Sequence, residues 1–392
     1  MAATVEYYLG KLREKVSLHL KESCYGFWVK SHVLRRVSED PKAKLHWSRA
    51  AGEPLTIQPT ITNGTYPPRE FRVGVYEIGS LEVYSKERVH LLGFYSTPVD
   101  EDGNLLAYAV LPESYQHFLL HADFATLLRA ATQWWPTGPR VIDQGVLLVN
   151  AWSQSYFHWF VEILPRILFL QNQIQSNCHL IVENNPKKWQ KRSLELLGFS
   201  KQQVLCYSQP LFVEKMWIPP HVHQRVANIG IFVPLMLQTL REQMICSSFA
   251  KNCSQNLSPK VYISRSKANG RRIVNEDELV QSLADRGFAM YCLEDMSLDE
   301  QIALFSQAKL IVAPHGAGLT NMLWARNATV VELFGDYWNP SFLTLANALH
   351  HRYLGFQSCR PRKKGKHFQI LNKRQDYEID VSEVLRFIQR NV

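Results

Sequence analysis

The sequence predicts an α/β protein made of two Rossmann-like domains with a β-rich extension ahead of them. Three observations predict this. From residue 260 onward, apolar strands alternate with amphipathic helices, which implies a parallel sheet covered on both faces. Around 310–324 an apolar run, a glycine turn and a second apolar stretch come without a break. The chain has 392 residues, too many for one ordinary core. A content of 46% hydrophobic and 11% aromatic residues supports packed cores over disorder.

Residues 1–139 form the extension. Its first 50 residues are charged and partly helical, and 71–110 carries aromatic-rich alternating runs between turns, hence short strands. Asp100-Glu101-Asp102 has metal-ligand spacing but sits in Pro98–Asn104, a hairpin-turn composition, and is assigned to a turn. An αβ domain spans 140–225. Its strands are expected at 145–150, 179–183, 203–207 and 213–218, with helices at 156–173, bent near Pro165, and 188–197. A long helix at 226–246 and the polar stretch 250–259 make a link and hinge over 226–259. The domain at 260–357 has strands at 260–265, 289–293, 310–313 and 329–334. Its helices lie at 275–286, 297–309 and 339–350, and Ser297 with Glu300 has capping-box spacing. Residues 358–392 hold a basic loop and a final amphipathic helix at 380–389, free to return to the first domain.

Charge and cysteines narrow the class. A net charge of +9 favours acidic partners: nucleotide phosphates, anionic head groups or nucleic acid. Seven cysteines with no CxxC pair argue against a disulfide framework or a zinc ribbon. No apolar run reaches the ~18 residues of a membrane span, and residues 1–15 lack the apolar centre of a signal peptide. The expectation is a cytoplasmic protein, with peripheral membrane contact through the basic run 360–366. The N-x-S/T triplets at Asn63, Asn252, Asn256 and Asn327 are then chance. His221 and His223, in a loop after two prolines, are a weak metal pair.

The most informative stretch is 313–321, Ala-Pro-His-Gly-Ala-Gly-Leu-Thr-Asn, after the apolar Leu310-Ile311-Val312. A strand, a glycine turn and a helix start leave unpaired N–H groups and a favourable dipole for an anion. Gly316, Ala317 and Gly318 allow close approach, and His315 adds a donor. The spacing is neither the dinucleotide fingerprint nor a P-loop. Arg265 and Glu332 fall at neighbouring strand ends, where such sheets bind ligands. The set suits a nucleoside diphosphate, with cations and the helix start for phosphates and Glu332 for ribose hydroxyls.

The string His-Gly-Ala-Gly-Leu-Thr-Asn at 315–321 resembles the signature of the family-61 glycosyltransferases. Two further segments match in order. One is Phe157-His158-Trp159-Phe160-Val161-Glu162-Ile163-Leu164-Pro165-Arg166, in the style of bacterial members. The other is Tyr262-Ile263-Ser264-Arg265 followed by Arg271-Arg272 and Asn275-Glu276. The resemblance covers about 140–357. It implies the GT-B architecture, two domains facing a cleft, with the donor on the C-terminal domain. It also implies a UDP-sugar donor (GlcNAc, xylose or arabinose), a glycan or lipid-linked glycan acceptor, as in polysaccharide biosynthesis, and inversion at the anomeric carbon. Lys267, Arg271 and Asn321 join the donor-binding set with Arg265, His315, Gly316, Ala317, Gly318 and Glu332.

The chemistry needs a base for the acceptor hydroxyl and positive charge for the leaving diphosphate. His158 and Glu162, spaced i, i+4, share a helical face, and either can be the base. Glu162 is the first choice, although Arg166 at i+4 competes for it. The cations answer the leaving-group charge, so no metal or other cofactor is expected. Two other readings stand: a nucleotide-sugar binder without catalysis, and a basic nucleic-acid binder. The second lacks helix-turn-helix, zinc-knuckle and ribonucleoprotein motifs, so no nucleic-acid partner is expected.

Overall fold

The computed structural model describes residues 33–34, 39–49, 52–58, 61–62, 74–92, 96–109, 139–150, 152–170, 174, 176–220, 223–226, 229–249, 257–335, 337, 339–357 and 375–392. These fall into two compact units. One draws on 1–50, 79–188 and 199–225; the other draws on 51–78, 189–198 and 226–392. The basic run 360–366, His221, residues 1–15 and the hinge stretch 250–256 lie outside the described residues. Among the described residues no helix is long and apolar enough to cross a membrane.

The first unit is built on a nine-stranded mixed sheet. Arg140–Leu147, Cys178–Glu183, Val204–Tyr207 and Leu211–Ile218 form its parallel half. Leu81–Leu92 then pairs antiparallel to Leu211–Ile218, Val89 opposite Val213. The sequence divides the chain at 139, yet the sheet runs across that point. The inward residues Val89 and Leu91 share one core with Ile142, Ile181 and Val213. Asp100 makes a turn: its carboxylate accepts the Asn104 backbone N–H at 2.8 Å and the Asn104 amide at 3.0 Å.

The 156–167 helix departs from a simple bent α-helix. It is α over Tyr156–His158, π over Trp159–Ile163 and α again over Leu164–Ile167. The Leu164 N–H bonds the Trp159 carbonyl, five residues back. Pro165 supplies the reason. It has no N–H for the Val161 carbonyl, and its ring clashes there, so the turn before it widens.

A long helix at 226–246 is not what forms. His223–Val226 pairs with Ile229–Phe232 as a two-stranded ribbon, and the helix runs from Pro234 to Phe249. Gly230 inside a helix would cost about 1 kcal/mol, whereas Pro234 suits the first helical position.

The second unit holds a parallel six-stranded sheet. Its order is Ala289–Tyr291, Lys260–Ile263, Leu310–Pro314, Thr329–Phe334, Arg352–Gln357, Ile61–Thr62. The sequence pattern assigns no element to Arg352–Gln357. Leu310–Pro314 is buried throughout and Thr329–Phe334 nearly so, as expected for central strands covered on both faces. Ser297 caps the Leu298–Gln307 helix with its expected box: the Ser297 N–H reaches Glu300 at 2.7 Å, and the Glu300 N–H reaches Ser297 Oγ at 3.3 Å. The last helix, Val381–Asn391, does not return to the first unit. Val384, Phe387 and Ile388 join Leu279 and Leu283 in the core of the second.

From Lys260–Ile263 the chain moves to one neighbouring strand, Ala289–Tyr291, and then crosses to the other side for Leu310–Pro314. The winding direction therefore reverses between Lys260–Ile263 and Leu310–Pro314. A crevice opens outside the carboxyl ends of such a strand pair. Arg265 comes just after the first of these strands and His315 just after the second.

Candidate functional site

Pro314 ends its strand, and a short helix occupies Ala317–Trp324. It is a 3-10 helix, not the expected α-helix: Leu319 N–H bonds the Gly316 carbonyl at 3.0 Å. No side chain caps its start. Gly316 is extended (φ 173°), so its role is spatial. A Cβ there would lie 1.8 Å from Arg265 Nη1. The glycine thus makes room for a guanidinium, where the sequence suggested room for phosphate. Gly318 is a packing glycine, since a Cβ would sit 3.2 Å from both Ile263 and Leu293. Ala317, between them, is exposed.

Arg265 is held from behind. Its backbone N–H reaches Glu276 at 3.2 Å, and the same carboxylate takes the Tyr262 and Ser264 hydroxyls at 2.8 Å each. Its Nη2 donates to the Gly270 carbonyl at 3.0 Å, while Nε is buried without a hydrogen-bond partner. Burial, then the neighbouring Arg271 charge, push its pKa below the usual guanidinium value. An anion beside it would favour the charged guanidinium and so offset both.

His315 is buried and tightly oriented. Its backbone N–H bonds the Leu333 carbonyl at 2.9 Å, and its Nδ1 bonds Glu332. Tyr353 donates its hydroxyl to the other oxygen of Glu332, which is 0% exposed. Glu332 therefore orients His315 and is not open to a ribose. The ring also stacks on Phe334 (centroids 5.5 Å) and meets Tyr337 and Phe342 edge-on at 5.2 and 5.4 Å. Nδ1 is engaged, so Nε2 is the atom left for a ligand.

The remaining expected donor residues divide. Arg271 lies over the Tyr337 ring at 5.5 Å, near His315. Lys267 is exposed and bonded to Asp295 at 2.6 Å, and Arg272 is exposed and bonded to Asp376 at 2.6 Å. Asn321 is a core residue. Its amide donates to Gln301 at 3.0 Å and to the Gly318 carbonyl at 3.1 Å, and its oxygen accepts from Trp324 at 2.9 Å. It shapes the turn from below.

Sequence reasoning missed the parts played by Glu276, Tyr337, Tyr353 and Tyr377. The Tyr377 hydroxyl bonds the Leu333 carbonyl at 3.0 Å, the acceptor that also fixes the His315 backbone. Glu276 belongs to one of the matching segments, but nothing in its spacing signals a carboxylate behind Arg265.

In the first unit, His158 Nδ1, at the end of the α turn, and Glu162, on the π segment, lie 2.8 Å apart. Trp152 stacks on the His158 ring at 5.4 Å and Phe157 meets it edge-on at 5.2 Å. Arg166 does not take Glu162 in an ion pair. It is buried, and its guanidinium donates to the carbonyls of Ala109, Pro219 and Pro220 at 3.2–3.3 Å. Burial lowers its pKa to about 10.

Residues 156–331 match the family model described as Glycosyltransferase 61, a span that begins at the 156–167 helix and ends within the Thr329–Phe334 strand. The chain is 40% identical over 291 residues to protein O-linked-mannose beta-1,4-N-acetylglucosaminyltransferase 2 of Mus musculus, covering 70% of this chain and 46% of that protein. Against the protein of the same name from Canis lupus familiaris it is 24% identical over 320 residues, 76% and 51% of the two chains. It is 31% identical over 131 residues to the EGF domain-specific O-linked N-acetylglucosamine transferase of Xenopus laevis, 31% and 25%. The chain spans about half the length of the mannose-type relatives. With all three motif segments inside the matched span, the chain belongs to the glycosyltransferase 61 family.

Proposed function

We propose that the protein transfers a sugar from a UDP-sugar to a hydroxyl of a glycan or glycoconjugate, with inversion, and that its two α/β units are the halves of a GT-B enzyme. The observation that carries the donor assignment is the Arg265 guanidinium lying on Gly316 at an uncapped helix start, beside His315, at the reversal point of a parallel sheet. The Arg265 guanidinium, His315 Nε2 and the first N–H groups of the Ala317–Trp324 helix are donors for a diphosphate. The names of the relatives bring N-acetylglucosamine forward as the sugar.

Inverting transfer forms a bond from the acceptor oxygen to the anomeric carbon as the bond to the diphosphate breaks. The acceptor proton must leave as that happens. In the first unit His158 Nδ1 is tied to Glu162, so Nε2 is the basic atom, and it takes the proton. Glu162 then orients the ring and stabilises the imidazolium. This exchanges the roles expected from sequence, in which Glu162 is the first choice as base. The leaving diphosphate is stabilised by Arg265, His315 and the helix start, so turnover should survive EDTA. Loss of activity in EDTA with recovery on adding Mn²⁺ would overturn that part.

The test is thermal-shift and calorimetric screening with UDP and a panel of nucleotide sugars. A ligand at 100 times its dissociation constant stabilises by ~2.7 kcal/mol. UDP and one UDP-sugar should stabilise the protein, and CDP or GDP sugars should not. No response to any uridine nucleotide would sink the donor assignment.

A further inference from the structure

We propose that nucleotide binding at this site takes up a proton, and that the His315–Glu332–Tyr353 chain is built to accept it. The inference rests on the donor reading above and adds how the site is switched. Glu332 is 0% exposed, and a carboxylate in that position is stabilised by charge compensation. Among the described residues the one basic side chain bonded to it is His315, which makes an ion pair only when the ring is protonated. Tyr353 supplies a hydroxyl to the second oxygen, a hydrogen bond without charge. While that ring is neutral the carboxylate has hydrogen bonds but no charge partner, and the ring's second nitrogen is where a charge can be added.

The groups around that ring act in both directions. Glu332 favours the imidazolium. Arg265, packed on Gly316, and Arg271, over Tyr337, oppose it. Phe334, Tyr337 and Phe342 enclose the ring without adding charge. A diphosphate at the mouth neutralises the two arginines and offers an acceptor to Nε2. Both effects favour the protonated ring. Nδ1–H stays on Glu332 throughout, and one proton passes from water to Nε2 as the phosphate arrives. The site then holds an alternating row: buried carboxylate, imidazolium, phosphate, guanidinium. Glu332 and Tyr353 are positioning residues in this scheme, since neither meets the ligand.

Proton uptake is read directly by calorimetry. UDP is titrated into the protein at about pH 8 in Tris and in HEPES, whose ionisation enthalpies differ; at that pH the terminal phosphate, with its second pKa of ~6, is already ionised. The binding enthalpy should differ between the buffers by an amount equal to roughly one-half to one proton taken up, and affinity should fall as pH rises. His315→Gln and Glu332→Gln should abolish the buffer dependence and weaken UDP roughly tenfold, the value of one charge-assisted hydrogen bond. Tyr353→Phe, the mildest change, should keep the uptake and weaken binding by no more than about threefold, since a neutral hydrogen bond is lost. Should Glu332→Gln fail to fold, His315→Gln decides alone. UDP binding with equal enthalpies in both buffers would overturn the proton-uptake proposal and leave the donor assignment standing. Absence of UDP binding by the unaltered protein would overturn the donor assignment and this inference with it.

Discussion

Each unit of the protein carries a histidine bonded through Nδ1 to a glutamate, and the two pairs are built differently. His158 and Glu162 sit four residues apart on one helix, with side-chain exposures of 21% and 8%. His315 and Glu332 are brought together from the ends of adjacent parallel strands, with exposures of 8% and 0%. The first imidazole is open enough to exchange a proton with a substrate and is oriented by a local contact. The second is fixed on three sides by rings and at Nδ1 by a carboxylate that Tyr353 also holds. The same two residue types thus suit a base in one place and a fixed phosphate donor in the other. The difference lies in exposure and in the groups behind the glutamate.

The largest effect should come from the more open pair. His158→Gln should lower turnover by about 10²–10⁴-fold with UDP affinity unchanged. Glu162→Gln should lower it by about 10²-fold, through lost orientation of the ring. Single-turnover rates beside UDP calorimetry check this, and near-normal turnover in both variants would remove the base from this helix.

The next effect belongs to the second pair and its arginine. Arg265→Ala should weaken UDP by about 1.5–3 kcal/mol while leaving uridine nearly unaffected. Gly316→Val should do the same, because its side chain occupies the volume of the guanidinium. The double variant should be little worse than either single one, as expected when two changes remove one interaction. Additive losses in the cycle, or equal losses for UDP and uridine, would mean that the two residues do not share a phosphate.

A third histidine sharpens the comparison. Among the described residues His351 has no carboxylate partner. Its Nδ1 accepts the Ala328 N–H at 3.2 Å, so Nε2 donates to the Met322 carbonyl at 2.9 Å. Burial pushes its pKa down from 6.5 to about 4. Below pH ~6.5 the unfolded chain therefore binds the proton first. This contribution to stability is complete above that value and is lost toward pH ~4, by at most about 1.4 kcal/mol per pH unit. Denaturant unfolding at several pH values should show a slope that shrinks in His351→Gln. An unchanged slope would place the acid sensitivity elsewhere.

The alternating part of the chain is the most legible in sequence. Strands at 260–263, 310–314 and 329–334 and the Ser297 cap follow from periodicity and capping chemistry, which are local. The link at 226–249 misleads because its apolar residues satisfy both periods, and only Gly230 and Pro234 break the tie. Within the site, the sequence gathers Arg265, His315 and Gly316 but not their tasks. Glu332 looks available because a strand end is usually exposed. Its burial depends on Tyr353, from a strand the pattern does not reveal, and on His315 folding back over it. Asn321 likewise becomes a core residue through Gln301 and Trp324, twenty residues before it and three after. Long-range partners of this kind leave no spacing in the sequence.

The wide turn at Trp159–Ile163 has a consequence for how the chain tolerates length changes. Such a turn is an α-helix with one residue added. Deleting a single residue between 159 and 161 would let a regular helix close up and would be mild for local stability. Because the wide turn already absorbs the extra residue, its two flanks would keep their orientation, and His158 and Glu162 would go from i, i+4 to i, i+3. The two side chains would still share a face, but their 2.8 Å bond would have to be made across a narrower turn with different side-chain geometry. A protein shortened in this way would keep its sheets, and the change would fall on the fit of one histidine–glutamate pair.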